Sequence, residues 1–335
     1  MKLFLLISIV TIAVGCSKTT ANKPATQTSG NSIHSNPPIK QSGVFYFSEE
    51  DNLFRYDTDR DSLSFVFKGY DASVSPDEQL VACTQENSTP DKSDWTRVIA
   101  ITDLTTKKTT VLSSLPGIHN VQPQFSPDSK TIIFDHYDST SKDWNICSCS
   151  VNGSDFRFIT KGHNSTIYGY YMQSWLADGS GFICHNLDTA FEFTTDGKVA
   201  LSYAMKDIAP VDEYDVSSGS GIFSDHAHHR IVIEAGSDEE EGVIPEHYAV
   251  FIYDTQTKQT RMLTPKGMHS WDPHWVESKQ RFFFRGYQTT EMMEAEQMGG
   301  DIRINWTMYS VKADGNDLKE EFTRNKLKKV ALISQ

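Results

Sequence analysis

A short hairpin pattern constrains this chain more than any other feature of its sequence. Residues 123–134 read Pro-Gln-Phe-Ser-Pro-Asp-Ser-Lys-Thr-Ile-Ile-Phe. Pro127 presets φ for a tight turn, and the Asp128 and Ser129 side chains can hydrogen-bond to their own backbone. The run from Thr131 to Phe134 is β-branched and aromatic, which favours a strand. The stretch therefore predicts a strand, a turn and a second strand.

The same hairpin recurs along the chain. Its turn acid moves from Asp77 to Asp128 to Asp178, in steps of 51 and 50 residues. Later copies are more degenerate and are recognised by their strands. The copies occupy residues 72–83, 123–134, 174–184, 223–233 and 273–284. A period near 50 residues with several strands per unit is typical of β-propeller blades, so the sequence predicts an all-β propeller.

A second hairpin with a polar turn alternates with the first. It begins near residues 56, 102, 150, 194, 253 and 310. Six hairpins of this kind against five of the first leave one strand missing. Residues 329–334, Lys-Val-Ala-Leu-Ile-Ser, have the composition of a strand, and pairing them with blade 1 would cover exposed edges. We therefore predict six four-stranded blades, with blade 1 closed by the C-terminal strand.

These paired motifs resemble the repeat of the TolB-like, or WD40-like, propellers. A Ser-Pro-Asp hairpin followed by a Tyr-Asp-x-x-Thr or Asn-Gly hairpin carries the resemblance, which covers residues 44–334. The resemblance implies the fold but leaves the function open, because such blades occur in periplasmic scaffolds, prolyl-peptidase propellers and oligogalacturonide lyases. The sequence contains no Gly-x-Ser-x-Gly motif, which argues against a prolyl peptidase.

The N-terminus predicts export and anchoring. Residues 1–16 give a positive start, an apolar run and small residues before Cys16, a signal pattern too short to span a membrane. Residues 13–16 resemble a bacterial lipobox, which implies acylation of Cys16 and membrane attachment; an ordinary signal with an incidental cysteine is the alternative. Residues 17–43 predict a flexible tether, and residues 44–335 the propeller. The predicted location is the bacterial cell envelope, periplasmic or at the outer membrane.

Charge and cysteine usage narrow the possible partners. A formal net charge of −13 argues against nucleic acid and against broad contact with anionic lipid. Beyond Cys16, the cysteines fall within strand patterns, where we expect small buried hydrophobic residues instead of disulfides or zinc ligands. They are Cys83, Cys147, Cys149 and Cys184.

Four histidines are candidates for a metal site. His119 and His269 each lie six residues before the aromatic residue of a repeated hairpin, and His136 and His185 follow second strands. Loops that lead into blades, and loops between second and third strands, open on one propeller face, here called the funnel face. Neutral imidazoles that converge there can bind a divalent transition metal. The alternative is that these rings cap strands or line a hydrated channel.

Other features are open to two interpretations. His226, His228 and His229 fall on a hairpin turn at the opposite face, where an exposed polar turn is favoured over a metal cluster. The loops at 236–247 and 287–305 belong to the funnel face, as contact surfaces or as solvated insertions.

The sequence therefore leaves two functional hypotheses. The first is a lipid-anchored scaffold that binds a protein or a glycan through its funnel face, without catalytic residues. The second, implied by the distant resemblance to oligogalacturonide lyases, is a metal-dependent lyase or hydrolase of acidic oligosaccharides. An acidic substrate requires cations near the metal, and few funnel-side candidates exist. They are Lys68, Lys142, Lys161, Arg285 and Arg303.

Overall fold

A computed structural model of the chain describes residues 43–87, 95–161, 169–211, 213–237, 247–290 and 305–333. Blades 1 to 3 contain the strands β1 (Val44–Glu49), β2 (Asn52–Asp57), β3 (Ser62–Lys68), β4 (Tyr70–Val74), β5 (Leu80–Asn87), β6 (Thr96–Asp103), β7 (Thr109–Val111), β8 (Asn120–Phe125), β9 (Thr131–Asp138), β10 (Asp143–Ser150) and β11 (Arg157–Phe158).

Blades 4 to 6 contain the strands β12 (Tyr171–Trp175), β13 (Gly181–His185), β14 (Thr189–Thr194), β15 (Val199–Ala204), β16 (Ile222–Asp225), β17 (Arg230–Ser237), β18 (His247–Asp254), β19 (Gln259–Met262), β20 (Met268–Val276), β21 (Arg281–Gln288), β22 (Thr307–Lys312) and β23 (Lys319–Thr323). The α-helices are α1 (Met205–Ile208) and α2 (Asn325–Ile333), and short 3₁₀ helices cover His226–His228 and Glu277–Lys279.

Each sheet is antiparallel and consists of consecutive strands. The first strands β4, β8, β12 and β16 contact one another in turn, so they line the centre. Strand β1 contacts both β4 and β20, which places blade 1 between blades 2 and 6 and closes the ring. The predicted all-β, six-bladed propeller is confirmed.

The predicted closing strand is wrong. Residues 325–333 form α2, and blade 1 contains three strands among the described residues, in the order β1-β2-β3. The segment is rich in Leu, Lys and Ala and contains no Gly or Pro, which favours a helix. Leu327 is buried and Val330 partly buried, one helical turn apart, against the apolar cluster of blades 1 and 6. The helix contacts the outermost strands β3 and β23.

Apolar clusters lie between neighbouring blades. The cluster between blades 2 and 3, for example, joins Ile99 and Ile101 to Ile132 and Phe134. The predicted burial of the cysteines is confirmed, because Cys83, Cys147, Cys149 and Cys184 are all buried free thiols. Among the described helices, none is both long and apolar enough to cross a membrane.

Candidate functional site

One polar residue recurs at the fifth position of the second strand of every four-stranded blade, and of β1 in blade 1. The flanking strand positions are largely buried and apolar, so each of these polar groups needs a partner. We call this set the polar ring. It consists of Ser48, Thr84, Asp135, His185, Glu234 and Arg285.

The innermost strands carry β-bulges beside the polar ring. Asp71, Gln122, Met172 and Asp272 have φ values between 51° and 59°, and each lies where the register of its hairpin shifts. Left-handed backbone is costly for residues with a side chain, and bulges of this kind re-aim side chains beside functional sites. The bulges therefore shape the centre of the propeller.

Members of the polar ring bond to the following blade. Thr84 Oγ1 accepts a hydrogen bond from the bulge amide of Gln122 at 3.2 Å, and Glu234 Oε1 accepts one from the bulge amide of Asp272 at 2.7 Å. His185 Nε2 lies 3.0 Å from the Ser220 carbonyl. The ring thus links consecutive blades and satisfies backbone groups that the bulges free from the sheet.

Arg285 extends this linkage across the junction of blades 6 and 1. Its guanidinium donates to the Ser48 carbonyl at 2.7 Å, to Glu49 Oε2 at 3.2 Å and to Asp272 Oδ2 at 2.8 Å. His274 Nε2 lies 3.1 Å from the other oxygen of Asp272. A buried cation is therefore matched by carboxylates from two blades.

The two acids of this group have opposite pKa shifts. Burial, then the negative charge of Asp272, raises the pKa of Glu234 to about 7. Burial also acts to raise the pKa of Asp272, but the nearby His274 and Arg285 outweigh it and hold that pKa well below its usual range. Near neutral pH, Asp272 is ionised while Glu234 exchanges a proton.

A central cavity of about 680 Å³ lies against these groups. Its lining comes from the second halves of the innermost strands of blades 4 to 6, so it extends towards the Ser-Pro-Asp-type turns. The lining also includes Gln124, Gln173, Ser224, Asp225, Glu234, Asp272, His274 and Arg285. Its aromatic walls are Phe45, Trp175, Phe223, Trp271 and Trp275.

Apart from His274 Nε2, which lies beside Asp272, two buried polar atoms of the lining have no hydrogen-bond partner within the described parts of the protein. Gln173 Oε1 is one, while its Nε2 donates to the Gln122 carbonyl at 2.8 Å. The other is Arg285 Nε. Gln173 is 2% exposed and Arg285 is 9% exposed. Since buried polar groups are normally paired, these atoms indicate a place where a ligand can complete the hydrogen bonding.

Two of the four predicted metal-site histidines belong to blade 3, His119 directly before β8 and His136 in β9. His119 Nδ1 lies 3.5 Å from Arg97 Nε, and its ring packs 4.8 Å from Trp95; burial and then Arg97 lower its pKa. His136 is buried, with Nδ1 2.8 Å from Asn120 Oδ1, and burial lowers its pKa.

The other two lie in blades 4 and 6. His185 belongs to the polar ring, and burial lowers its pKa to about 4. His269 stacks on Tyr287, with ring centroids 4.7 Å apart and planes 6° apart. The four rings thus have separate partners in different blades. Across the described parts of the chain, no group of three or more His, Cys, Asp or Glu side chains has the geometry of a metal site.

The remaining histidine group also divides between partners. His226 Nε2 lies 2.9 Å from Glu192 Oε2, whereas His228 Nδ1 lies 2.9 Å from Asp225 Oδ2. Cys16, the tether up to residue 42, His163 and most of the two long loops lie outside the described residues.

Sequence reasoning missed the polar ring. From the sequence, Arg285 stands out only as a cation for an acidic substrate, and Glu234 and Asp272 do not stand out at all. A signal was available, because Thr84, Asp135 and their equivalents interrupt apolar strands at one fixed position. The bulges whose amides Thr84 and Glu234 bond leave no comparable sequence signal.

Solved structures share this fold. The chain is similar to a putative TolB from Agrobacterium tumefaciens, with 12% identity and a TM-score of 0.56 over 83% of this chain and 90% of that one. It is similar to TolB from Acinetobacter baumannii, with 16% identity and a TM-score of 0.51 over 84% of this chain and 62% of that one. The predicted TolB-like propeller is thereby confirmed as a fold.

An oligogalacturonate lyase from Vibrio parahaemolyticus is also similar, with 14% identity and a TM-score of 0.48 over 72% of this chain and 71% of that one. At that level the similarity says nothing about activity. No protein-family profile and no curated protein matches the sequence.

Proposed function

We propose that this chain is a lipid-anchored envelope protein whose propeller binds a neutral glycan in its central cavity. The cavity of about 680 Å³ carries the proposal, because it combines aromatic walls with buried polar atoms that lack partners. Ligand pockets typically have volumes of roughly 300–1,000 Å³ and a few convergent polar groups.

The chemistry of the walls favours a sugar. Half-buried indoles of Trp175 and Trp271 offer flat apolar surface on which the C–H face of a pyranose ring can pack, whereas Arg230 stacks on Trp275 at 3.9 Å. Gln173 Oε1 can accept a hydrogen bond from a sugar hydroxyl, and Arg285 Nε can donate one.

The charge of the cavity favours a neutral sugar over an acidic one. Its lining contains the carboxyl groups of Asp225, Glu234 and Asp272 against the single guanidinium of Arg285. That guanidinium already contacts Asp272 and Glu49. A uronate would meet repulsion and no free cation there, which weakens the acidic-oligosaccharide hypothesis.

Calorimetric titration of the full-length chain with neutral and uronic oligosaccharides of two to four units tests this. Ser174→Trp would fill the cavity and abolish binding of the neutral sugar, whereas Ser202→Trp, on exposed β15, would leave it unchanged. We expect Gln124→Ala to weaken binding by about tenfold, the equivalent of one hydrogen bond. Saturable binding of a protein partner, with no glycan bound, would contradict the glycan proposal and leave a protein-binding scaffold.

A second candidate function rests on the acid pair. Carboxyl groups with opposed pKa values can divide the roles of glycoside hydrolysis. Glu234, with a pKa of about 7, can donate a proton to the leaving oxygen, and the ionised Asp272 can stabilise positive charge that develops on the sugar. The appearance of new reducing ends, lost in Glu234→Gln, would support hydrolysis. Binding without turnover would limit the protein to recognition.

The anchor and the metal site stay predictions with their own tests. Cys16→Ala should move the protein from the detergent phase to the aqueous phase on Triton X-114 partition. A metal bound by His119, His136, His185 and His269 would be found stoichiometrically in purified protein and lost in a His119→Ala/His269→Ala variant. No metal in either sample would remove the metal-dependent lyase hypothesis.

A further inference from the structure

We propose that the free edge of β15 is a docking site for an extended, partly acidic segment of a partner protein, which adds a fifth strand to blade 4. Strand β15 is the outermost strand of its sheet and pairs only with β14 among the described strands. This site is separate from the central cavity and does not depend on the glycan proposal.

The composition of β15 distinguishes it from the other outer strands. Its sequence, Val-Ala-Leu-Ser-Tyr-Ala, contains no charged residue, Gly or Pro. By contrast, β7 and β11 have three and two residues, β19 contains an arginine, β23 contains three charged residues, and α2 contacts both β3 and β23. Short or charged edges resist pairing with other chains, and β15 has neither protection.

The exposed side chains of β15 suit strand addition. Val199 is 42% exposed and Leu201 is 48% exposed. A free edge also presents a row of backbone N–H and C=O groups that an extended peptide can satisfy. Main-chain pairing would supply affinity, and the alternate side chains would supply specificity.

The edge is held in place at its far end. Helix α1 follows β15 directly, with Met205 and Ile208 buried and the Met205 amide bonded to the Asp188 carbonyl at 2.8 Å. Thr260 Oγ1 donates to the Asp207 carbonyl at 2.6 Å, which ties α1 to blade 5. A partner strand would therefore meet a preformed template, at a lower entropic cost than a mobile one.

A groove beside this edge would receive the side chains of the added strand. It has a volume of about 790 Å³ and lies between β15 and the outer strands of blade 5. Tyr203 and Tyr253 form its aromatic wall, with ring centroids 6.0 Å apart. Leu201 and Ala209 contribute apolar surface.

The charge of the groove indicates the chemistry of the partner. Exposed Lys206 and Lys258 line it against one carboxylate, Asp207, so the groove is locally positive on a chain of net charge −13. A segment with alternating apolar residues and one or two acids is complementary to this surface.

The test uses the full-length chain and a fluorescein-labelled ten-residue peptide of alternating Val and Thr that ends in two Glu. We expect the peptide to slow amide exchange of residues 199–204 by about tenfold, because strand pairing protects backbone amides. With a version of the peptide that lacks the two Glu, Leu201→Lys should weaken binding by about tenfold, since it replaces an apolar side chain on the pairing edge by a charged one and the neutral peptide offers no compensating attraction. The matched control is Val111→Lys, an equally exposed outer-strand change on β7, which should leave the affinity unchanged.

Charge reversal and backbone methylation sharpen the test. The double variant Lys206→Glu/Lys258→Glu should bind the acidic peptide more weakly and should bind a version that ends in two Lys more tightly. A peptide N-methylated at alternate residues should not bind. Equal affinity for Leu201→Lys, or no protection at 199–204, would overturn the proposal. Occupation of the edge by a second copy would also overturn it; the protein would then have a doubled mass that Leu201→Lys abolishes. Occupation by residues 17–42 would do the same; deleting those residues would then remove the protection of residues 199–204.

Discussion

The junction between blades 6 and 1 differs in kind from the junction between blades 2 and 3. Blades 2 and 3 meet through aliphatic and thiol side chains, such as Ile99, Ile132 and Cys147. Blades 6 and 1 meet through a cluster in which eight of the buried side chains are aromatic, and ion pairs surround this cluster. The aromatic residues are Phe45, Phe47, Phe54, Tyr56, Phe283, Tyr287, Trp306 and Phe322.

Charged contacts concentrate at the junction of blades 6 and 1. Arg285 reaches Glu49 across 236 positions of sequence, and Trp306 Nε1 donates to the same carboxylate at 3.0 Å. Lys326 of α2 lies 2.8 Å from Asp61, and Lys279 lies 2.8 Å from Asp59. This junction closes the ring between distant parts of the chain without a shared strand. We infer that directional ion pairs and large aromatic surfaces hold blades 6 and 1 together there, in place of a shared strand.

The largest loss in the free energy of unfolding is expected for Arg285→Met. Removing the buried guanidinium takes from Asp272 one of its two partners, the other being His274, and takes from Glu49 its contact with Arg285. Breaking a buried pair costs about 3–5 kcal/mol. Urea unfolding should show this loss. Arg285→Lys is the control: it keeps the charge but loses the two-pronged geometry, and we expect an intermediate loss.

A loss below about 1 kcal/mol in Arg285→Met would contradict this account, because that is the range of solvent-screened surface pairs. The aromatic cluster alone would then hold the two blades together.

The junction of blades 5 and 6 should give the protein a pH-dependent stability through the buried carboxyl group of Glu234. Because the pKa of Glu234 is raised to about 7, its contribution to stability is full below about pH 4.5 and is lost as the pH rises to 7. Glu234→Gln should remove this slope and raise Tm at pH 8 by roughly 3 °C.

Thermal unfolding of wild type and Glu234→Gln between pH 4.5 and 8 measures the difference. Asp225→Asn, at the edge of the cavity and paired with Arg230, is the control and should not reproduce the loss of slope. Parallel curves for Glu234→Gln and wild type would show that this carboxyl does not titrate in the window.

Between blades 2 and 3, a small apolar truncation should behave as a packing defect. Ile132 is fully buried, and Ile132→Val should cost about 1 kcal/mol. The loss should be the same in 50 mM and 500 mM salt, because no charge is involved. A salt-dependent loss would remove the contrast between the two junctions.

The smallest loss in the free energy of unfolding is expected for Lys279→Ala. Its side chain is 34% exposed and pairs with an exposed Asp59, so the pair is worth at most about 1 kcal/mol. Since salt screens exposed pairs, the difference from wild type in urea unfolding should vanish at 500 mM salt. Persistence at high salt would show that the stem of Lys279, and not its charge, matters.

The fold could be predicted from the repeats, because each hairpin combines turn-forming residues and strand-forming residues within a dozen positions. The burial of Cys83 and Cys184 followed from their place in the strand pattern. The prediction for the C-terminal segment was wrong because an apolar run such as residues 330–333 suits a strand or a helix. Only tertiary contacts, such as those of Leu327, decide between the two. Periodicity alone cannot separate the two for so short a run.

The site was predictable only in part. The residue types at the funnel loops predicted a metal site of four histidines. Such rings meet only if every rotamer points to one centre. Local partners instead engage the rings, such as Asn120 for His136 and Tyr287 for His269. The central cavity depends instead on left-handed residues such as Gln122 and Asp272, whose conformation tertiary contacts impose.

Every sheet is built from consecutive strands, and this has a consequence for biogenesis. Each blade can form as soon as its own fifty or so residues are available, and each new blade finds its predecessor already folded, as expected for chains that fold from the N-terminus. Blade 1 is the exception, since its partner β20–β23 is made last. Until then its aromatic surface is exposed, and a chaperone that protects Phe45 and Phe47 would act on this protein only while it is incomplete.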